Sequence, residues 1–496
     1  MTPEIAIAIG LVVYAVLMLS FSAFMTRRVA STTDYLMGSR NFPFWILIGS
    51  VTAANIGTGV IVGASGLAYK HGWAGAAYPI GLGLGTALVG IIFASMRRYK
   101  FMTLSDEVAS YYGNNRIVVE FSNITLFFAQ LCCLTVQIMG GAALLAAVTR
   151  LPPHLCIVIA AVITAGIAIP GGLKSVVYTD FLQTAILLSG FFTLTYSALH
   201  HSGGWTGLRQ SMPHAYFSFL GVASYGKWAV AGLIVALMSS AIADPGRRLS
   251  MYSARSQRGA KMAMIFAGII VIIFSAVVSI TGMYAFHLNQ HLANPDESLI
   301  WLVMNVLPSW LAAFVVVSVV SGIISCANWN AIAAGTFFVR HIYPLVTGRY
   351  TKRPLLAVRI ALICSFIIST LVALHAKTIV GFVVKFLPIT LSGLAVIIII
   401  GRFWKRSTWQ GALAALIATP VVSLAVMFAP AHLSFLNNAV IPTLVGAVVH
   451  ITVSLFTPPT TPSFEEVADI LHHERSSIEE GTYAETTPAH TALDGF

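Results

Sequence analysis

Long apolar runs dominate the sequence and limit what the chain can fold into. A helix of about 20 residues is long enough to cross the hydrocarbon core of a bilayer. Thirteen apolar runs of that order are present, at about residues 4–24, 43–69, 74–96, 118–147, 154–171, 176–199, 225–245, 262–287, 309–335, 354–375, 378–401, 409–430 and 437–456. Only 9% of the residues are charged and 57% are hydrophobic, whereas a soluble protein carries about 25% charged residues. The sequence therefore predicts an all-α, polytopic membrane protein with about 13 transmembrane helices.

The Lys and Arg residues predict how the chain is oriented. With the N-terminus outside, 22 of the 28 bases fall on the cytoplasmic side, five fall outside, and Lys385 lies within a span. Arg247 and Arg248, which follow the seventh span, are counted as cytoplasmic. Because cytoplasmic loops are enriched in Lys and Arg, we expect an external N-terminus, a cytoplasmic C-terminus and a location in the plasma (inner) membrane. The same distribution accounts for the net charge of +11 without a nucleic-acid partner.

The second apolar run contains a stretch, residues 50–59, that is poorly suited to a continuous helix. It includes two glycines, two threonines, a serine and an asparagine, which lower helix propensity and compete for backbone hydrogen bonds. Irregular backbone at membrane depth is tolerated where it lines a cavity or is buried in protein, and in transporters it holds substrate and coupling ion. We therefore predict a broken helix here. The seventh span ends in Asp244-Pro245-Gly246 and is a candidate for a second interruption.

A specific family signature is matched at residues 171–183. Their sequence, GGLKSVVYTDFLQ, resembles the GG-(x)-(x)-(A/S)-V-(x)-(W/Y)-T-D-(x)-(x)-Q signature of the sodium/solute symporter family. Further segments similar to that family are Tyr35-x-x-Gly38-x-Arg40, Gly66-x-Ala68-Tyr69-x-x-Gly72, Ala243-Asp244-Pro245 followed by Arg248, and residues 401–411. The resemblance covers residues from about 5 to 456 in order.

The resemblance implies a LeuT-type core of two five-helix repeats with inverted topology, in which the first core helix is broken. Residues 1–42 would then form a leading helix and a loop, residues 43–402 the ten-helix transport core, and residues 403–456 two trailing helices. Residues 457–496 form the C-terminal tail. From Pro458 onward it has eight acids and one base, so we expect an acidic, largely disordered segment.

The resemblance also implies a sodium site at the helix break. Its ligands would be the backbone carbonyls of Ala53, Ile56 and Gly322, with the side chains of Ser325 and Cys326. Carbonyl and hydroxyl oxygens suit a hard monovalent cation, whereas a neutral thiol is a soft ligand and binds sodium poorly. Cys326 is therefore a departure from the many relatives that have a hydroxyl residue there.

Some relatives hold a second sodium ion with the signature aspartate, Asp180 here, and two hydroxyl residues on the ninth span. Those hydroxyl positions are Asn328 and Trp329 in this chain, and an indole N–H is only a donor. We therefore expect one sodium ion and loss of the second site. Asp180 is then left to hydrogen-bond across helices or to carry a proton, because an acid at this depth is seldom idle. Trp329 is interpreted as a core aromatic.

The solute is expected beside the break, near the middle of the membrane. By position, the candidate binding residues are Asn55, Thr58, Gln137, Ser239 and Ser240. Lys385 is a further candidate, which either pairs with an anionic solute or a carboxylate on another helix, or extends to the outer interface. The sequence leaves both alternatives open and does not identify the solute.

These features predict a secondary active transporter that couples sodium entry to the uptake of a small polar organic solute. The thiol at Cys326 leaves a proton-coupled or sodium-independent transporter open, and a solute sensor on the same fold is a second alternative. An enzyme is not predicted, since the sequence has no H-E-x-x-H or G-x-S-x-G motif. The five cysteines include no CxxC pair and predict neither a disulfide framework nor a zinc site. The expected partners are the solute and the lipid bilayer, and a monomer suffices for transport.

Overall fold

The structure is a computed structural model that describes residues 3–26, 40–149, 151–201, 203–348, 351, 353–375, 379–427 and 440–479. Inside its helices, the side chains of residues 25–26, 170–172, 354, 379–388 and 474–479 are not described. Tyr35 and Gly38 of the family resemblance therefore lie outside the described residues, as does the side chain of Lys385.

Every regular element in the described ranges is helical, apart from an isolated bridge between Phe42 and Ala254. The α-helices are α1 (Pro3–Thr26), α2 (Phe44–Asn55), α3 (Ala64–His71), α4 (Ala77–Phe93), α5 (Leu104–Tyr111), α6 (Arg116–Thr149), α7 (Pro153–His201), α8 (Gly204–Gln210), α9 (Val222–Tyr225), α10 (Lys227–Ala243), α11 (Pro245–Tyr252), α12 (Gln257–Leu288), α13 (Ser298–Val306), α14 (Ser309–Phe337), α15 (Tyr343–Thr347), α16 (Pro354–His375), α17 (Ile379–Phe403), α18 (Trp409–Met427), α19 (Val440–Phe456) and α20 (Phe464–Glu479). The shorter turns are π-helical at Gly59–Gly63 and Phe338–Ile342, and 3-10 at Gly72–Ala76, Ala94–Tyr99, His214–Phe217, Phe219–Gly221 and Pro295–Glu297. The predicted all-α fold class is confirmed.

The helices that could cross a membrane follow the predicted apolar runs. Among the described residues, eight segments are long and apolar enough, or up to nine if the bent pair α10 and α11 counts as one span. Four shorter apolar helices fall in predicted spans as well: Phe44–Asn55, Pro153–Ile169, Ile389–Phe403 and Val440–Phe456. The protein is a multi-pass membrane protein, while the count of 13 crossings stays a prediction.

Helix α7 covers both the fifth and the sixth predicted spans. It is assigned as one helix of 49 residues, which would be about 74 Å long if straight. However, Ser22 of α1 donates to the carbonyl of Ile167 at 3.2 Å and accepts from the hydroxyl of Ser175 at 3.3 Å. Pro153 at one end of α7 lines a cavity with residues near 294–305, and the chain leaving its other end brings Ser211 to His287 at the end of α12. Both ends of α7 therefore lie at the same end of the bundle, so α7 folds back on itself.

The bundle has two ends, which we name after the predicted orientation. The outer end contains residues 200–201, 203–226 and 288–308, and the inner end contains residues 94–115 and 244–256. Glu4 of α1 lines a cavity at the outer end, and helix α20 packs on Tyr99 and Phe101 at the inner end. The two termini of the described chain thus lie at opposite ends, as an odd number of crossings requires.

The expected disorder of the C-terminal tail is wrong for residues Phe464–Glu479, which form helix α20. Phe464 packs against the rings of Phe101 and Tyr111, and Val467 and Ala468 are buried. The N–H of Ser463 donates to Glu466 at 2.8 Å and so supports the first turn. The physical reason is that a charged segment can fold when its few apolar side chains share one helix face and find a partner surface. Residues 480–496 lie outside the described part.

Candidate transport site

The predicted break is present in the second span. Helix α2 ends at Asn55, the following Ile56 leaves the helical region with φ −100° and ψ 69°, and the chain resumes helical structure in the π turn Gly59–Gly63. Gly57 lies at the point of closest approach, because a Cβ atom there would be 2.6 Å from the sulfur of Cys326 and 2.7 Å from Oε1 of Gln137. Gln137 accepts the N–H of Thr58 at 3.0 Å, which satisfies one backbone group that the break leaves free. A glycine is therefore required where the break meets α6 and α14.

The residues predicted to bind sodium meet where α14 passes the break. The thiol of Cys326 donates to the carbonyls of Ala53 at 3.3 Å and Ala54 at 3.1 Å. The carbonyl oxygen of Ile56 lies against Gly322, where a Cβ atom would be only 2.5 Å from it. The two halves of the predicted site are thus in direct contact.

Ser325 is adjacent to this group, but its hydroxyl has another partner. It donates to Oδ1 of Asp180 on α7 at 2.6 Å, while Ser50 of α2 donates to Oδ2 at 2.7 Å. The indole N–H of Trp329 also donates to Oδ2, at 2.6 Å. One buried carboxylate thus connects α2, α7 and α14 through three donors. The interpretation of Trp329 as a core aromatic missed its hydrogen bond, which its spacing of four residues from Ser325 could have indicated.

A cavity of about 90 Å³ lies beside the break, between α2, α6, α10, α11 and α14. Of the predicted solute-binding residues, Asn55, Gln137 and Ser240 line it. The buried residues Thr58 and Ser239 are not among its lining residues, and the side chain of Lys385 is not described. The sequence analysis missed several polar lining residues, namely Tyr78, Gln130, Asp244, Arg247 and Asn330.

Among the site residues, Arg247 differs most from its sequence-based prediction. Counted as a cytoplasmic loop charge, it is 6% exposed and lines the cavity. The span containing α10 bends by 45° at Asp244, and the carboxylate of Asp244 caps α11 by accepting from Gly246 N–H at 2.9 Å. This second interruption, predicted from Asp244-Pro245-Gly246, turns Arg247 back into the bundle. There its guanidinium donates to Asn55 and Thr86 and pairs with Asp244.

A second, larger cavity of about 730 Å³ lies at the outer end. It is lined by residues of α6 that include Met139, Ala142 and Ala146, which by helical spacing face the side of α6 opposite to Gln130 and Gln137. Val62, next to the break, lines it as well, while Val60 lines the central cavity. The two cavities therefore lie on opposite sides of α6.

The inner end is closed by a buried cluster of charged and aromatic side chains. Arg248, also counted as a loop charge, is 0% exposed, lies 3.6 Å from the carboxylate of Glu107 and stacks on the ring of Phe93. The hydroxyls of Tyr111 and Tyr252 donate to the same carboxylate. Burial, and next the charge of Glu107, raise the pKa of Tyr111 well above its usual value, so its hydroxyl keeps the proton that it donates.

Comparisons with known proteins agree with this architecture. The profile of the sodium:solute symporter family matches residues 35–419. The chain is 23% identical over 442 residues to the sodium/pantothenate symporter of Escherichia coli (strain K12), covering 84% of this chain and 90% of that protein. It is 26% identical over 473 residues to the sodium/glucose cotransporter of Vibrio parahaemolyticus, covering 86% and 85%.

A solved structure has the same fold. The substrate-bound, outward-open state of a Na⁺-coupled sialic acid symporter superposes with a TM-score of 0.79 at 16% identity, over 92% of this chain and 99% of that one. Since the family profile covers most of the chain, and the all-helical fold with its broken helix is that of LeuT-like transporters, the chain belongs to the sodium:solute symporter family.

Proposed function

We propose that this protein imports a small polar organic solute together with one sodium ion by alternating access. The observation that carries the proposal is the contact between the broken helix and α14. There the carbonyls of Ala53 and Ile56 face Cys326 and Gly322. A cation bound between two helices in this way would stabilise their contact, and a solute bound beside it would benefit from the same ordering.

The sodium ligands in this proposal are the carbonyls of Ala53, Ile56 and Gly322 and the side chains of Ser325 and Cys326. The four oxygens of this set supply dipoles without the full charge that would trap a monovalent ion. Asp180, which the hydroxyl of Ser325 contacts at 2.6 Å, adds a nearby acid. We place no second ion, because Trp329 uses its one N–H on that same acid.

The solute would bind in the central cavity, with Asn55, Gln137 and Ser240 among its contacts. Relatives are named for pantothenate, glucose and sialic acid, so the family accepts polar solutes of several kinds. The cavity of about 90 Å³ is smaller than the 300–1,000 Å³ or so that is usual for ligand pockets. Solute binding would therefore widen it, which couples binding to movement of the surrounding helices.

The two ends of the bundle support an outward-facing arrangement. The outer end contains the cavity of about 730 Å³, whereas Glu107 and Arg248 are fully buried at the inner end. Transport inward requires this inner cluster to separate or move as a unit while the outer cavity closes. The orientation, with the inner end in the cytoplasm, is part of the proposal.

Uptake into proteoliposomes tests the function. A panel of radiolabelled sugars, amino acids, carboxylates and vitamins would be offered with an inward sodium gradient, with equal sodium on both sides, and with a proton gradient alone. We expect accumulation above equilibrium only with the sodium gradient. Equal accumulation with protons alone would replace the proposal by proton coupling, which the thiol of Cys326 leaves open. Solute binding without any accumulation would indicate a sensor.

A further inference from the structure

We propose that the transported solute carries a carboxylate group, and that Arg247 binds this group in the central cavity. The inference rests on the proposed transport function and names the chemical class of its solute. Arg247 is the one base among the described residues that line the cavity, and Asp244 is the one acid. Arg247 is 6% exposed and pairs with Asp244, so the cavity contains one buried ion pair in an otherwise uncharged polar lining.

The hydrogen bonds of Arg247 leave room for a ligand. Its Nε donates to Asn55 Oδ1 at 3.2 Å and to Thr86 Oγ1 at 3.1 Å, and Nη2 donates to Asn55 Oδ1 at 2.6 Å. Nη1 donates to Asp244. A guanidinium has five N–H groups, and these contacts use three, so two remain. Two N–H groups on one planar fork are the complement of a carboxylate.

The same contacts fix the position of the guanidinium. Asn55 belongs to the broken helix, Thr86 to α4, and Asp244 to the hinge before α11. Thr86 also donates to Asn55 Oδ1 at 3.0 Å, and Asn55 donates to the carbonyl of Val51 at 2.6 Å. A base that is held from three elements loses little rotamer entropy when it binds a ligand.

A second, independent observation describes the rest of the solute. Gln130 lines the cavity at 2% exposure, and its Oε1 atom has no hydrogen-bond partner in the structure. An unpartnered buried acceptor is costly and calls for a donor. The solute should therefore present a hydroxyl or an amide N–H to Gln130 as well as a carboxylate to Arg247. Asp244 already offsets part of the charge of Arg247, which favours a singly charged carboxylate over a phosphate.

Binding by purified protein tests this inference, with pairs of compounds that share a skeleton and differ in charge. Suitable pairs are gluconate and glucose, lactate and lactamide, pantothenate and panthenol, and N-acetylneuraminate and its methyl ester. Thermal stability and calorimetric affinity would be measured for each compound in sodium chloride and in potassium chloride. We expect at least one carboxylate to bind in sodium with an affinity at least ten-fold above that of its neutral partner.

The variants then assign the effect to Arg247. Arg247→Lys keeps the charge but not the planar fork, and should weaken carboxylate binding about ten-fold. Because Arg247→Gln alone leaves Asp244 unpaired, the double variant with Asp244→Asn keeps the site neutral, and it should lose about 100-fold. Arg209→Gln, at an exposed position on the outer helix α8, is the matched control and should bind like the parent protein.

The inference is overturned if no carboxylate binds, if neutral partners bind as tightly as the carboxylates, or if the double variant binds carboxylates as tightly as the parent. The proposed function has its own readout in the same experiment, which is stabilisation by sodium over potassium with no solute added. Retained sodium stabilisation with neutral compounds bound would reject the carboxylate and keep the symporter. A protein that shows neither stabilisation by sodium nor binding of any compound would reject the proposed symporter function itself.

Discussion

Arg247 and Arg248 are neighbours in the chain, yet they lie in two different regions. Arg247 faces the central cavity, where two of its N–H groups are unused and Gln130 has an unpartnered acceptor. Arg248 faces the inner end, where it contacts Glu107 and Phe93 at 0% exposure. One short helix, α11, thus presents one charge to a site with capacity for a ligand and the next charge to a closed protein interior.

The different positions of Arg247 and Arg248 on one helix couple solute binding in the proposed mechanism to opening of the inner end. A solute that binds Arg247 and displaces it also displaces α11, the helix that contains Arg248. Because packed interfaces switch between discrete arrangements instead of deforming continuously, a small shift of α11 would be transmitted to the cluster around Glu107. The comparison therefore separates residues whose loss should unfold the protein from residues whose loss should change ion or solute binding.

The largest expected effect is on stability, from breaking the buried pair. Arg248→Ala leaves the carboxylate of Glu107 buried without its counter-charge, so it should lower the free energy of unfolding by about 3–5 kcal/mol. Thermal unfolding in detergent would measure it. The control is Arg98→Ala, since Arg98 lies 4.0 Å from Glu465 with both side chains mostly exposed, and its loss should cost no more than about 1 kcal/mol. Equal losses for both variants would contradict a structural role for the inner cluster.

The next effect is expected at Asp180, which accepts from Ser50, Ser325 and Trp329. Asp180→Asn replaces one acceptor oxygen by an NH₂ group that faces donors, so at least one bond is lost, at a cost of about 1.5–3 kcal/mol. The stabilisation by sodium should weaken as well, because Ser325 loses the hydrogen bond to Asp180 that orients its hydroxyl. Asp469→Asn, at an exposed tail position, is the control. Normal stability and a normal sodium response in Asp180→Asn would show that this acid does not support the sodium site.

Gly57→Ala tests the close approach at the break. The new Cβ atom would lie 2.6 Å from Cys326 Sγ, so the broken helix and α14 must move apart, at a cost of about 1–3 kcal/mol. We expect sodium stabilisation to be lost while the protein still folds. Gly166→Ala is the matched control, since its nearest neighbour would be a Leu19 methyl at 3.7 Å. A sodium response that survives in Gly57→Ala would place the ion elsewhere.

The smallest effect is a gain, at Cys326. Cys326→Ser supplies a hydroxyl oxygen in place of a soft thiol, and should tighten sodium binding by up to about ten-fold, or about 1.4 kcal/mol. Sodium titration of thermal stability would measure it, with the exposed Cys364→Ser as the control. Unchanged or weaker sodium binding would show that residue 326 is not a ligand.

Much of the fold could be predicted from the sequence, because the bilayer restricts which secondary structures can cross it. Hydrocarbon requires long apolar helices, and the weak helix formers at residues 50–59 indicate the break that ends α2 at Asn55. The bend at Asp244 was similarly indicated by an N-cap residue followed by proline. These features are local in sequence, so a pattern was enough to find them.

The site residues were harder to predict because their roles depend on the direction in which each side chain points. Arg247 follows a span in a run of bases, and charge counting places such residues in a loop; only the 45° bend turns its side chain inward. Helix α20 was missed although its signal was present. Ser463 and Glu466 have the spacing of a capping box, and Phe464, Val467, Ala468 and Leu471 share one helix face. The acidic composition of the tail outweighed that pattern.

Sodium binding between the broken helix and α14 can be tested directly by comparing two buried serines of α14. Ser325 is a proposed sodium ligand whose hydroxyl donates to Asp180, whereas Ser318 donates to the carbonyl of Val315 in its own helix. Unfolding temperature would be followed during titration with sodium chloride and potassium chloride, and a sodium concentration of 100 times Kd should stabilise by about 2.7 kcal/mol. We predict stabilisation by sodium and not potassium in the parent protein and in Ser318→Ala, and its loss in Ser325→Ala. Equal stabilisation by potassium, or a Ser325→Ala variant that responds like the parent, would contradict a sodium site at the break.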